Sequence, residues 1–193
     1  MKNIAVSLLL MALPAFTFGA EVGIAGAIGT TTEIRLPIKT VKYLIEPYIS
    51  HYLINVTEEA DAKVSENGVG IAIWRLSELS ENTFLQYGAQ LGYQQEKRNS
   101  GYLSTNSSDV EYGSISSTNL DGFLIAPGFG LFYAFNSQFE AGLEVKYRYR
   151  KSSGDRKTRS SGYPEYTWQQ EPNLEYSETT AHLQTQVVVR VFF

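Results

Sequence analysis

Between residues 139 and 150 the chain alternates with a period of two. Phe139, Ala141, Leu143, Val145, Tyr147 and Tyr149 hold the odd positions, and Glu140, Gly142, Glu144, Lys146, Arg148 and Arg150 the even ones. Successive side chains of a strand point to opposite faces, so this segment predicts a strand with one apolar and one charged face. Residues 85–94 repeat the pattern, with Leu85, Tyr87, Ala89, Leu91 and Tyr93 opposite Gln86, Gly88, Gln90, Gly92 and Gln94. A third segment, 123–135, sets Ile125, Phe129, Leu131, Tyr133 and Phe135 against Gly128 and Gly130. The last runs to the end of the chain: Leu183, Thr185, Val187, Val189, Val191 and Phe193 alternate with His182, Gln184, Gln186, Val188, Arg190 and Phe192. Small and amide residues on the second face suit a narrow barrel interior that side chains must fill.

Short and long connections take turns between these segments. Asn136-Ser137-Gln138 reads as a tight hairpin turn, and 77–82 links 69–76 to 84–97. Residues 57–67, 98–119 and 152–179 are long and polar and read as loops. Tight turns on one side and long loops on the other mark a transmembrane barrel; a soluble up-and-down barrel has no need of the asymmetry. Counting back from the C-terminus gives strands at 180–193, 139–152, 120–135, 83–97, 68–78, 43–56 and 29–38, with 21–28 left for an eighth. A second count makes 22–38 one strand, because Val22, Ile24, Gly26 and Ile28 share the parity of Ile34, Leu36 and Ile38, and adds 163–178. It puts the long loops on the side of the C-terminus. We therefore take the first count, with 163–178 as the upper part of a tall hairpin. The expected fold is all-β: an antiparallel up-and-down transmembrane barrel of eight strands, with short periplasmic turns and long extracellular loops.

The first residues break the alternation. Lys2, an apolar run over 4–13, Pro14 and the small pair Gly19-Ala20 have the form of a secretory signal; the run is too short to span a bilayer. The expected organisation is a signal peptide over 1–20 and one barrel domain over 21–193. Later runs are too short for a membrane helix, so a membrane crossing requires a closed barrel, in which every backbone group is paired. The 13 tyrosines and 10 phenylalanines fit aromatic girdles. Cysteine is absent, which excludes a lipoprotein anchor, disulfides and a thiolate metal site. The net charge of −4, or −5 without Lys2, argues against nucleic acid as a partner.

A terminal aromatic preceded by apolar residues at every second position (Val187, Val189, Val191, Phe193) is similar to the C-terminal signal that outer-membrane barrels present to their assembly machinery. Val191 stands where many members carry a further aromatic. The chain as a whole resembles the OmpX/OmpA-type barrels, a family seen in opacity and adhesin-like proteins. The resemblance implies a place in the bacterial outer membrane, contact with its lipid and lipopolysaccharide, and the barrel assembly machinery as a partner. It also implies a structural or surface-interaction role, with an extracellular protein or glycan held by the outer loops.

The chemistry on the polar faces is mostly charge. Glu140, Glu144, Lys146, Arg148 and Arg150 line one strand, Arg190 faces the Glu140 end from its partner, and Glu33 and Arg35 point inward from 29–38. Such charges persist in a membrane protein only when paired or hydrated; they form either a plug or a narrow pathway for ions or small solutes. A lipid-modifying enzyme is the third option and rests on His51 and His182. Ser50 beside His51 faces the opposite side of the strand, so no enzyme activity and no catalytic residue are expected. No cofactor and no metal are expected either: no histidine pair has ligand spacing, and the acidic stretch Glu58-Glu59…Asp61 lacks calcium-loop spacing. Tyr163, Tyr166, Trp168 and Tyr176 remain as loop recognition candidates, or as an upper aromatic girdle.

Overall fold

A computed structural model describes residues 20–29, 31–56, 62–105, 111–161 and 168–193. The expected signal segment, apart from Ala20, and the loop candidates Tyr163 and Tyr166 lie outside the described residues. Ten β segments follow in order: β1 (Glu21–Gly29), β2 (Thr32–Arg35), β3 (Ile38–Lys39), β4 (Tyr43–Val56), β5 (Ala62–Ser80), β6 (Thr83–Thr105), β7 (Glu111–Ala134), β8 (Phe139–Ser161), β9 (Gln169–Gln170) and β10 (Leu174–Phe192). β2 and β3 form one stave, broken at Leu36-Pro37, where proline has no N–H to give. β9 is a short piece on the edge of β8.

Every pairing is antiparallel, and the sheet closes on itself where β1 meets β10, from Gly23↔Phe192 to Gly29↔Gln186. The ring has eight staves, as the first of the two counts predicts. Pairing can be followed once around, from Arg190 to Ala25, Arg35, Tyr48, Gly70, Gly92, Leu124, Arg150 and Thr180. The path returns to β10 ten residues from its start (190 less 180). For eight strands that stagger requires a tilt of about 40° and a radius of about 8 Å, wide enough only for side chains. The β7–β8 ladder skips Ala126-Pro127, again where proline lacks a donor. Gly92 leaves room for Tyr48, whose hydroxyl occupies the space a Cβ would need.

The outward face is apolar. Ile24, Ile28, Ile34, Ile49, Ile73, Leu91, Phe129, Leu131, Leu143, Leu183 and Val187 are exposed around the ring. Tyr87, Tyr93, Phe123, Tyr133, Phe135, Tyr147 and Tyr149 are exposed toward the two ends of this band. On β8 the band runs from Phe139 to Tyr149, roughly 35 Å of strand, or ~25 Å along the barrel axis, which is the height of a bilayer's apolar band.

Three strands continue far past it. β6, β7 and β8 are 23, 24 and 23 residues long, so β8 extends about 55 Å along the axis at this tilt. Much of the polar sequence over 62–67, 98–119 and 152–179 is therefore paired strand and not loop: Arg98 pairs with Thr118, Asn119 with Asp155, and Ser153 with Ser177. The alternation disappears there because both faces meet water, while the backbone ladder does not depend on it. The wall is lowest at β1 and β2, which stop at Gly29 and start at Thr32. Among the described residues, β10 from Leu174 to Thr185 has β8 on one edge and no strand on the other.

The opposite end is closed by tight turns. In the one between β7 and β8, Asn136 Oδ1 accepts from the N–H groups of Gln138 and Phe139 at 2.8 and 2.9 Å. Thr40 Oγ1 caps the turn before β4, accepting from Tyr43 N at 3.0 Å.

Candidate functional site

Alternation places a polar side chain in the lumen at every second position, and the ten-residue stagger decides which of them meet. Arg35 on β2 lies at the centre of the lower lumen. Its guanidinium donates to Glu33 Oε2 (2.9 Å), Glu46 Oε2 (3.1 Å), both oxygens of Glu144 (2.9 and 3.0 Å) and Gln186 Oε1 (2.9 Å). Arg190 donates to Glu46 Oε1 and Gln86 Oε1, both at 2.8 Å, and its charge lies 3.7 Å from Glu140. Its guanidinium also stacks over the Phe132 ring at 4.0 Å. Lys146 donates to Gln90 Oε1 (2.7 Å) and Glu33 (3.2 Å) and sits 3.1 Å from Glu144. Lys39 closes the lower mouth, paired with Glu140 and 5.1 and 5.3 Å from the rings of Phe84 and Phe192.

Four cations thus meet four carboxylates: Arg35, Lys39, Lys146 and Arg190 against Glu33, Glu46, Glu140 and Glu144. Many of the bonds are chords of the ring, joining β2 to β8 or β10 to β4 and β6, three staves apart. Trp74 Nε1 and Gln86 Nε2 fill further acceptor positions on Glu46 and Glu144, at 2.9 and 2.8 Å. Several kcal/mol per ion is the effective cost of taking such charges from water, and only this density of partners offsets it. At the lower end of the network Phe84 and Phe132 stack with ring centroids 5.6 Å apart, in one cluster with Ala27 and Val188.

A second network lies higher, on the concave face of the tall sheet. Arg150 contacts Glu66 (2.8 Å), Glu96 (2.5 Å) and Glu178 (3.0 Å); Arg148 contacts Glu66 (3.0 Å) and donates to Thr31 Oγ1 (3.1 Å). Arg98 on β6 reaches across to Glu178 on β10 at 2.8 Å and pairs with Glu96 on its own strand. Glu178 and Arg98 stand above the aromatic girdle. Partial burial acts against ionisation of Glu178, but the hydrogen bond and charge of Arg98, joined by Arg150, outweigh it and hold the carboxyl below the usual range. The same bond to Glu178 raises Arg98, against the effect of its burial.

The eight charges singled out from the sequence all face the lumen, but in two groups: Glu33, Arg35, Glu140, Glu144, Lys146 and Arg190 below, Arg148 and Arg150 above. Glu46, Gln86, Gln90, Trp74, Glu66, Glu96, Arg98 and Glu178 complete the networks and were not foreseen as partners. Glu46 carried a signal, being a lone carboxylate in an apolar stretch with the parity of Leu44 and Tyr48. His51 points outward and its Nδ1 is 2.8 Å from Asn67 Oδ1, whereas Ser50 is buried on the inner face; the two do not meet. His182 lies on the inner side near Arg148 and Glu66. Trp168 is half-buried beside β9. Tyr176 has inward parity, and its hydroxyl donates to Glu178 at 3.3 Å, which puts it with the upper ions. Val187, Val189, Val191 and Phe193 share the exposed outer face of β10, and Phe193 N–H donates to Val22 C=O at 3.0 Å.

No family model and no curated protein matches the sequence. Solved structures do match the fold. A major outer membrane protein of Thermus thermophilus superposes with a TM-score of 0.52 at 7% identity, over 89% of this chain and 99% of that one. CarO of Acinetobacter baumannii gives a TM-score of 0.45 at 12% identity, over 90% and 98%. At such identities the first likeness speaks for the fold alone: the chain has the architecture of an outer-membrane β-barrel.

Proposed function

We propose that the protein is a non-enzymatic barrel of the bacterial outer membrane, with the tall rim outside the cell and the turns in the periplasm. Its lumen serves as a rigid plug, and its rim makes contact at the cell surface. The observation that carries this reading is the lower network: three buried cations and the half-buried Lys39 tied to four carboxylates by chords across a barrel about 8 Å in radius. Ions that hold one another this way supply rigidity and leave no row of free charges to pass a solute. The exposed apolar band, the girdles and the Phe193 pattern support insertion among outer-membrane lipids through the barrel assembly machinery. With the tall sheet facing outward, its polar surface and the open edge of β10 are what a lipopolysaccharide sugar, a glycan or an extracellular protein would meet. The OmpX/OmpA-type resemblance points the same way.

Two measurements test it. Purified protein in a planar bilayer is expected to show no unitary conductance; steady ion-selective steps would replace the plug with a channel. Replacing residues 157–173 with an Asn-Gly turn closes the hairpin on the Arg156↔Leu174 pair. This variant is expected to keep heat-modifiable gel migration and membrane insertion and to lose binding to cells or glycan arrays. Full retention of binding, or failure to insert, would overturn the division of labour between barrel and rim.

A further inference from the structure

We propose that the half-open pocket between β5, β6, β8 and β10 above the plug is a binding site for a small oxyanion of the phosphate or carboxylate class. It measures about 120 Å³ and is lined by Glu66, Gln94, Arg148, Arg150, Thr180 and His182. A single water needs about 10–15 Å³ by this kind of measure, so a group of several heavy atoms fits. Two lining side chains hold polar atoms without a partner although both are more than nine-tenths buried: Arg150 Nε (residue 7% exposed) and Gln94 Oε1 (2% exposed). Buried donors and acceptors are nearly always satisfied in native proteins. These two therefore point to an occupant that accepts from one and donates to the other, as hydrogen phosphate does.

The unpartnered donor gives the sign. Both oxygens of Glu66 are taken, one by Arg148 and one by Arg150. The lining carries two guanidinium groups and one carboxylate, and Arg150 also meets Glu96 and Glu178 just outside it, so the charge around the pocket is already balanced. Thr180 adds a hydroxyl and His182 a ring nitrogen. The unpartnered Nε–H of Arg150 is a charged donor and matches an oxygen of a phosphate or carboxylate.

Access follows from the low wall. Thr180 and His182 belong to the stretch of β10 that has no neighbour on the β1 side among the described residues, and Arg148 is anchored to Thr31 in the short β1–β2 turn. The site opens near the outer edge of the apolar band. A phosphate can reach it as the headgroup of a lipid or as a free solute, and the chemistry of recognition is the same.

Calorimetric titration of the full barrel, refolded in non-ionic detergent, separates these sources with two probes: inorganic phosphate and monomeric dihexanoyl phosphatidic acid. One saturable site for either is expected, accompanied by a shift of the His182 ring signals in the NMR spectrum. Tighter binding of the lipid probe assigns a headgroup site; tighter binding of inorganic phosphate assigns a solute site. Gln94→Leu and Thr180→Val are each expected to weaken binding about tenfold, the loss of one hydrogen bond to a charged ligand. Thr180→Val decides alone if Gln94→Leu loses heat-modifiable folding. Absence of saturable heat with both probes up to about 10 mM, beyond a millimolar site, would overturn the proposal, as would unchanged binding in the folded variants. A conducting lumen would overturn the plug and leave this site standing.

Discussion

Arg35 and Arg98 are both guanidinium groups ringed by glutamates, yet the side chain of the first is 1% exposed and that of the second 34%. Around Arg35 the wall is closed on all eight staves, and four acceptor residues on β2, β4, β8 and β10 converge from different directions. Around Arg98 the wall is an open curved sheet, and the ions tie β6 to β10 across its concave face. One composition therefore does two jobs. Closed in, it becomes a fixed filler whose removal leaves charges with nowhere to go. In the open rim it acts as a brace that water and salt can replace. The difference lies in solvent access, which changes the effective strength of the same ion pair severalfold.

The largest effect is expected from Arg35→Met. It leaves Glu33, Glu46 and Glu144 facing one another with only Lys146 and Arg190 to balance them. Breaking a buried pair by removing one partner typically costs about 3–5 kcal/mol, and a hub shared by three carboxylates should reach the top of that range. Denaturant unfolding in lipid vesicles, read by heat-modifiable gel migration, measures it. Adding Glu144→Gln should recover part of the loss, because the two positions are in direct contact and their effects do not add. A loss below ~1 kcal/mol would mean that the lower lumen is as wet as the rim.

Next comes Trp74→Phe. The phenyl ring has three ring atoms fewer than the indole and leaves a small gap, and the Nε1 bond to Glu46 at 2.9 Å is lost. Glu46 Oε2 keeps Arg35 as a donor at 3.1 Å, so the loss is that of one hydrogen bond to a charged group, about 1.5–3 kcal/mol. The same unfolding assay applies, and the change should be insensitive to added salt because Trp74 is fully buried. Strong salt dependence would place this residue in contact with solvent.

The contrast between the two regions also separates what could be read from the sequence from what could not. Inside the band lipid demands apolar side chains on one face and the lumen takes polar ones on the other. Residues 139–150 and 182–193 therefore announced their strands, their faces and the charges Glu144, Lys146 and Arg190. The partners of those charges were hidden, because Arg35 meets Glu144 only through the ten-residue stagger summed around the ring. No local pattern records that sum. Trp74 and Leu44 lie on the inner face without being polar, so a rule of polar-inside alone misplaces them. In the rim the failure has another cause. Paired strands wet on both faces carry no alternation, so 98–105 and 111–119 read as loop although the backbone ladder runs through them.

A smaller effect is expected from Arg98→Ala. Partly exposed pairs contribute about 0–1 kcal/mol and weaken with salt, so global unfolding should barely move. The change should instead appear as faster amide exchange in the upper half of β10, residues 174–182, which loses its brace to β6. Exchange in β1 and in the lower half of β10 should not change. If the whole barrel loosened, the rim and the plug would be one cooperative unit and not two.

The smallest and most specific test is the pH response of that brace. The folded carboxyl of Glu178 titrates below its ordinary value because Arg98 and Arg150 outweigh its partial burial. A group depressed in the folded state adds stability above its unfolded pKa, about 4.3 for glutamate, and loses it as pH falls through the folded value. Exchange protection of residues 174–182, corrected for intrinsic rates, should therefore stay level from neutral pH down to about pH 4.5 and decline below that. Glu178→Gln removes the titrating group, so protection there should start lower and show less of the decline. Protection that instead rises on acidification would mean that burial, not Arg98, governs this carboxyl. The rim would then be held by its backbone ladder, with the ions as passengers.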